Sequence, residues 1–133
     1  MNAGFKFTSR PYEIRQRVRQ FVLALISVYP DSPTWNRPSA QAWEQLFKSA
    51  SSSGAHLEEA DAGSSRRHFK SLLEGALREM REAKYWLMVI EAGKLEGWRT
   101  LGELTDEAAQ LVAILATIVN NTAENDDSVN PSM

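Results

Sequence analysis

Six basic side chains are the residues of this 133-residue chain best suited to act on a partner: Arg15, Arg17 and Arg19 in one run, and Arg66, Arg67 and Lys70 in another. Guanidinium and ammonium groups form charge-assisted hydrogen bonds with phosphate, and each contact releases counterions, so RNA or DNA bound through them would let go as salt rises. Arg78 and Arg81 follow further along, interleaved with Glu74, Glu79 and Glu82, and no aromatic stacking platform accompanies the basic runs. Pairing of these charges between neighbouring helices or subunits is the competing explanation.

Other chemistries are poorly supplied. His56 and His68 are the only histidines, with no second histidine at metal-binding spacing and no H-E-x-x-H. Glu58, Glu59, Glu79 and Glu82 invite comparison with bundles that hold two metals between carboxylates, but the Glu-x-x-His pair those sites need is absent. The serine row Ser49, Ser51, Ser52 and Ser53 lacks an evident base and orienting group, and no glycine-rich phosphate loop follows a strand. With no cysteine, thiolate nucleophiles, thiolate metal sites and disulfides are all excluded. The chain is therefore expected not to be an enzyme, to carry no cofactor, and to have no evident small-molecule substrate.

These side chains need elements to hold them. The apolar fraction of 43% and charged fraction of 24% belong to a globular protein with one core. The longest uncharged apolar run, Phe21 to Tyr29, falls far short of the ~20 residues that cross a bilayer. The N-terminus lacks the apolar stretch of a secretory signal, so a cytoplasmic location is expected. The net charge of −2 is unevenly spread: residues 1–30 and 64–100 are basic, residues 31–63 acidic, and beyond Leu101 there are acids but no Lys or Arg.

The run from Ser64 to Ala92 has one glycine and no proline, with Phe69, Leu72, Leu73, Ala76, Leu77, Met80, Ala83, Leu87 and Ile90 at three-and-four spacing. That periodicity predicts one long helix, capped by Ser64 or Ser65 and closed near Gly93 in a left-handed cap. An earlier helix is predicted from Tyr12 to Val28, with Pro11 in its first turn and a stripe of Ile14, Val18, Phe21, Val22, Leu25 and Val28. Arg15, Arg17 and Arg19 lie off that stripe. Tyr29-Pro30-Asp31-Ser32-Pro33 ends it, and Trp35 is expected against the end of the bundle.

A second helix is predicted from a Ser39 cap to Ala60, with Ala42, Trp43, Leu46, Phe47, Ala50, Gly54 and Leu57 on its apolar face. Its centre, Ser49 to His56, is poor in helix formers, but the periodicity stays in phase across it. A continuous helix with small side chains admitting a close neighbour is therefore expected. A fourth helix, Thr105 to Asn120, takes Thr105 as cap. Residues 1–123 should form one all-α domain, an antiparallel up-down-up-down four-helix bundle with short loops, and residues 124–133 a disordered acidic tail. Tyr85 and Trp86 lie within the third helix, where an aromatic left outside the monomer core would suit an oligomer interface.

Three segments between Ser49 and Leu95 carry a resemblance: His56-Leu57-Glu58-Glu59-Ala60, Ser65-Arg66-Arg67-His68-Phe69, and Arg78-Glu79-Met80-Arg81-Glu82 with Tyr85-Trp86-Leu87. The segment resembles the four-helix-bundle family of proteins encoded in intervening sequences of 23S ribosomal RNA genes. It is similar also to the accessory variability determinant protein of diversity-generating retroelements. The resemblance implies a closed homo-oligomer, commonly a pentamer, and in the retroelement branch binding of nucleic acid and a reverse transcriptase. On this reading the chain is a non-enzymatic oligomeric scaffold, with a nucleic-acid or ribonucleoprotein accessory role as the leading expectation. A protein–protein adaptor with no nucleic-acid role is the first alternative, and an enzyme of unknown class the last.

Overall fold

The computed structural model describes residues 13–31, 36–62 and 65–129, with side chains to residue 123. Four helices follow in order: α1 (Ile14–Val28), α2 (Arg37–Asp61), α3 (Arg66–Ala92) and α4 (Gly102–Val129). Each packs against its neighbour in sequence, and α4 returns to close against α1. The result is the expected up-down-up-down bundle. The interior is built from the predicted stripes: Val18, Phe21 and Leu25 of α1 meet Trp43 and Leu46 of α2, Met80, Leu87 and Ile90 of α3, and Leu111 and Leu115 of α4, all fully enclosed. Each such side chain contributes about 1.5–3 kcal/mol by leaving water. The expected start of α1 at Tyr12, the placement of Trp35 and residues 130–133 of the tail lie outside the described residues.

The serine-rich centre of α2 is helical throughout. Ser53 is fully buried, and its hydroxyl donates to the Ala76 carbonyl of α3 at 2.8 Å. A side chain one carbon long reaches the backbone of another helix only where the two helices lie close, so the small residues permit the approach and the hydroxyl is satisfied within it. Opposite, Gly54 faces Val18 of α1.

The helix ends depart from expectation in four places. α2 is capped by Asn36, whose Oδ1 accepts from the Ser39 N–H at 2.8 Å. Pro38 follows within the first turn, where its missing N–H costs nothing. Ser39 lies inside the helix, buried. At the end of α3 the left-handed residue is Lys94, with φ of 51°, while Gly93 keeps right-handed geometry. Lys94 N–H bonds the Glu91 carbonyl at 3.2 Å and Leu95 N–H the Ile90 carbonyl at 3.0 Å, the paired closure of a Schellman ending.

α4 begins a turn earlier than expected: Thr105 N–H bonds the Leu101 carbonyl at 2.9 Å, so Thr105 lies within the helix, and its hydroxyl donates instead to Glu91 of α3 at 2.6 Å. The helix then continues to Val129, into the stretch expected to be disordered. Elongation adds one hydrogen bond per residue fixed, and no proline intervenes before Pro131.

The connection from α3 to α4 is held against the start of α2. Trp43 Nε1 donates to the Glu96 carbonyl at 2.7 Å, and Glu96 N–H donates to Ser39 Oγ at 3.1 Å. Residues one helical turn apart thus fix both backbone groups of Glu96. Tyr29, leaving α1, packs its ring 5.1 Å from Trp43 and 6.2 Å from Phe47. Partial burial, reinforced by Glu44, raises the Tyr29 pKa above its ordinary value.

Candidate functional site

The antiparallel order brings the start of α1, the end of α2 and the start of α3 to one end of the bundle, and five of the six predicted basic residues gather there. Arg15 pairs with Asp61 and, at 3.5 Å, with Glu58; Arg19 donates to Glu58 at 2.5 Å. The hydrogen bond from Arg19 holds the Glu58 carboxyl below its ordinary range, aided by the charges of Arg19 and Arg15. Both arginines are therefore committed to stitching α1 to α2, although they remain exposed. Arg66 and Arg67 are exposed in the first turn of α3 and Lys70 is half-buried; Arg66 and Lys70 also interact with neighbours.

Arg17 does not join them. It is 2% exposed and enters the interface with α4, where Nε donates to Glu107 Oε2 at 3.1 Å and Nη2 to Oε1 at 2.7 Å. Gln110 accepts a further bond from Nη2 at 3.2 Å. Glu107 is itself 3% exposed. Grouping Arg17 with Arg15 and Arg19 as a phosphate contact is thus corrected by helix geometry. Residues two apart point to opposite sides, while residues four apart share one. The sequence held a signal for the pair, because Glu107 interrupts the apolar face formed by Leu104, Ala108 and Leu111.

Outside the core stripes, large apolar residues stand on two helices. Leu23 and Ile26 of α1 are 49% and 53% exposed, and Tyr85 and Met88 of α3 are 56% and 52% exposed. Trp86 is half-buried against the core, its ring 5.0 Å from that of Tyr85. Tyr85 is thus the member of the predicted aromatic pair that faces outward. Leu23, Ile26 and Met88 belong to none of the stripes or interface residues expected from the sequence.

His56 is half-buried, with its ring against Gly75 of α3: a Cβ on that glycine would meet His56 Nε2 at 3.2 Å. His68 is exposed in the first turn of α3, its N–H accepted by the Ser65 cap at 3.2 Å. The two histidines occupy separate environments. Among the described residues no group of three or more His, Asp or Glu side chains could hold a metal ion, and no helix is long and apolar enough to cross a membrane.

No protein-family model matches the chain, and no curated protein does. Among solved structures it is similar to a protein of unknown function from the S23 ribosomal protein family of Bacteroides thetaiotaomicron. The TM-score is 0.65 and the identity 19%, over 83% of this chain and 97% of that one. The similarity is one of fold.

Proposed function

We propose that this protein is a non-catalytic scaffold that assembles with copies of itself into a closed ring, five copies being the number the family resemblance favours. The observation that carries this reading is the pair of apolar outcrops, Leu23 with Ile26 and Tyr85 with Met88, on helices whose inward faces are already filled. In a bundle ordered α1 to α4 around its axis, α1 and α3 occupy opposite corners. Two unlike apolar patches on opposite sides suit a head-to-tail contact, which generates a ring when the rotation closes. Multi-angle light scattering of the full chain at micromolar concentration tests the assembly. A single species of several subunits is expected, and a monomer overturns the reading.

A ribonucleoprotein accessory role is the second reading. It is favoured by the exposed Arg66 and Arg67 beside Arg15 and Arg19 at one end of the bundle, and by the fold shared with a member of a family named for a ribosomal protein. Repetition of a modest basic end around a ring would raise its avidity. Mobility shift with single- and double-stranded RNA and DNA at low and physiological salt tests it. Salt-sensitive binding, lost in an Arg66→Glu/Arg67→Glu variant, supports the role; no binding at low salt removes it.

A further inference from the structure

At the other end of the bundle, between the start of α2 and the α3–α4 connection, lies an open hollow of about 350 Å³, at the small end of the range for ligand sites. Its walls include Ser39, Lys94, Glu96, Trp98, Arg99 and Thr100. Two cations converge on one ring there: Lys94 Nζ lies 5.7 Å and Arg99 Cζ 4.7 Å from the centre of Trp98. Among the described residues neither makes an ion pair. Attraction to the ring restrains each head while leaving its N–H donors unspent.

The backbone beneath is fixed more firmly than a surface loop requires. Trp43 and Ser39 hold Glu96 by both its backbone groups. Gly97, with φ of 77°, lies so close to Pro30 and Trp43 that a Cβ would meet them at 2.7 and 3.0 Å. Lys94 sustains a left-handed conformation that glycine adopts without strain. That conformation closes α3, so the point at which the Lys94 side chain leaves the backbone is fixed by the helix ending. In the first turn of α2, Asn36 already accepts the Ser39 N–H and Pro38 has none to offer, so any attraction for an anion comes chiefly from Lys94 and Arg99. Glu96 supplies a carboxylate on the same wall, an acceptor for hydroxyl groups.

We infer that this hollow binds a phosphorylated sugar, with Lys94 and Arg99 taking the phosphate and Glu96 accepting from the sugar hydroxyls. The same chemistry occurs in a free pentose phosphate or nucleotide and at the 5′-phosphorylated end of an oligonucleotide. The site stands apart from the basic end described above and does not depend on ring assembly.

Isothermal titration calorimetry of the full chain at low salt, with ribose 5-phosphate, adenosine monophosphate, inorganic phosphate and a 5′-phosphorylated oligonucleotide, tests the inference. Saturable binding of a sugar phosphate near or below about 1 mM is expected, with inorganic phosphate at least about tenfold weaker. Lys94→Gly, which relieves the backbone, and Arg99→Gln should each weaken binding about tenfold or more without lowering the melting temperature. A preference for the oligonucleotide that persists in Arg66→Glu/Arg67→Glu would identify a nucleic-acid terminus as the source. Equal affinity for phosphate and sugar phosphate, binding indifferent to Lys94→Gly and Arg99→Gln, or no saturation by about 10 mM would each overturn it.

Discussion

Arg17 and Glu107 meet as a two-pronged ion pair in the interface of α1 and α4, closed off from solvent on both sides. Desolvating two charges is expensive, and their attraction offsets the cost only because both guanidinium prongs and Gln110 are engaged. Removing one partner leaves the other charge buried and unpaired. Arg17→Met or Glu107→Leu should each destabilise the fold by about 3–5 kcal/mol in urea melts. The double variant should recover most of that loss, because an apolar pair of similar volume carries no desolvation cost. If the double variant is as unstable as the singles added together, the two residues are not coupled.

Gly97 tests the other end of the bundle. Its positive φ and its approach to Pro30 and Trp43 leave no room for a side chain. Gly97→Ala combines a left-handed backbone penalty with a clash, and about 1–3 kcal/mol of destabilisation is expected. Gly102→Ala is the control, since a Cβ there would meet nothing within 4 Å; its melting temperature should match or exceed that of the parent.

Much of this architecture was legible in the residues. The α3 stripe from Leu72 to Ile90 is buried as its spacing requires, and Ser65 caps the helix by accepting from His68 N–H. The serine row of α2 was readable as a close-packing surface because the periodicity of Ala50, Gly54 and Leu57 stays in phase across it. Less legible was anything set by the meeting of distant segments. Arg17 looked like its neighbours Arg15 and Arg19 because a run of alternating charges hides the helical rotation between them. The Lys94 turn and the Glu96 clamp depend on α2 passing beneath the connection. The hollow at Trp98 is assembled from the start of α2 and residues that follow α3, so no local motif announces it.

Acid titration should expose the α1–α2 stitching. Arg19 donates to Glu58 and lowers its pKa below the ordinary 4.5. A carboxylate whose folded pKa is depressed contributes stability that is present above the unfolded value and lost as pH falls through the folded one. The melting temperature should therefore decline below about pH 4.5 in the parent, and Arg19→Gln should remove part of that decline. Because both side chains of the pair are exposed to solvent, about 1 M salt, with a Debye length of ~3 Å, should flatten the difference between the two proteins. An acid limb identical in both proteins at low salt would assign it to other carboxylates.

The apolar outcrops separate assembly from folding. Leu23 and Ile26 project from α1 at one corner of the bundle and Tyr85 and Met88 from α3 at the opposite one, and none of the four belongs to the enclosed core. Placing a charge on such a side chain costs a monomer little, typically within about 0.5 kcal/mol. At a subunit contact the same charge is buried without a partner. Ile26→Lys and Met88→Lys should therefore each reduce the assembled fraction in light scattering while leaving helical content intact. In a head-to-tail contact each protomer offers both surfaces. A mixture of Ile26→Lys with Met88→Lys therefore still contains one unblocked pairing, Leu23/Ile26 of the second variant against Tyr85/Met88 of the first. That mixture should yield dimers but no ring. Rings restored by mixing would show that the two patches do not face each other, and assembly unaffected by either variant would place the contact elsewhere on the surface.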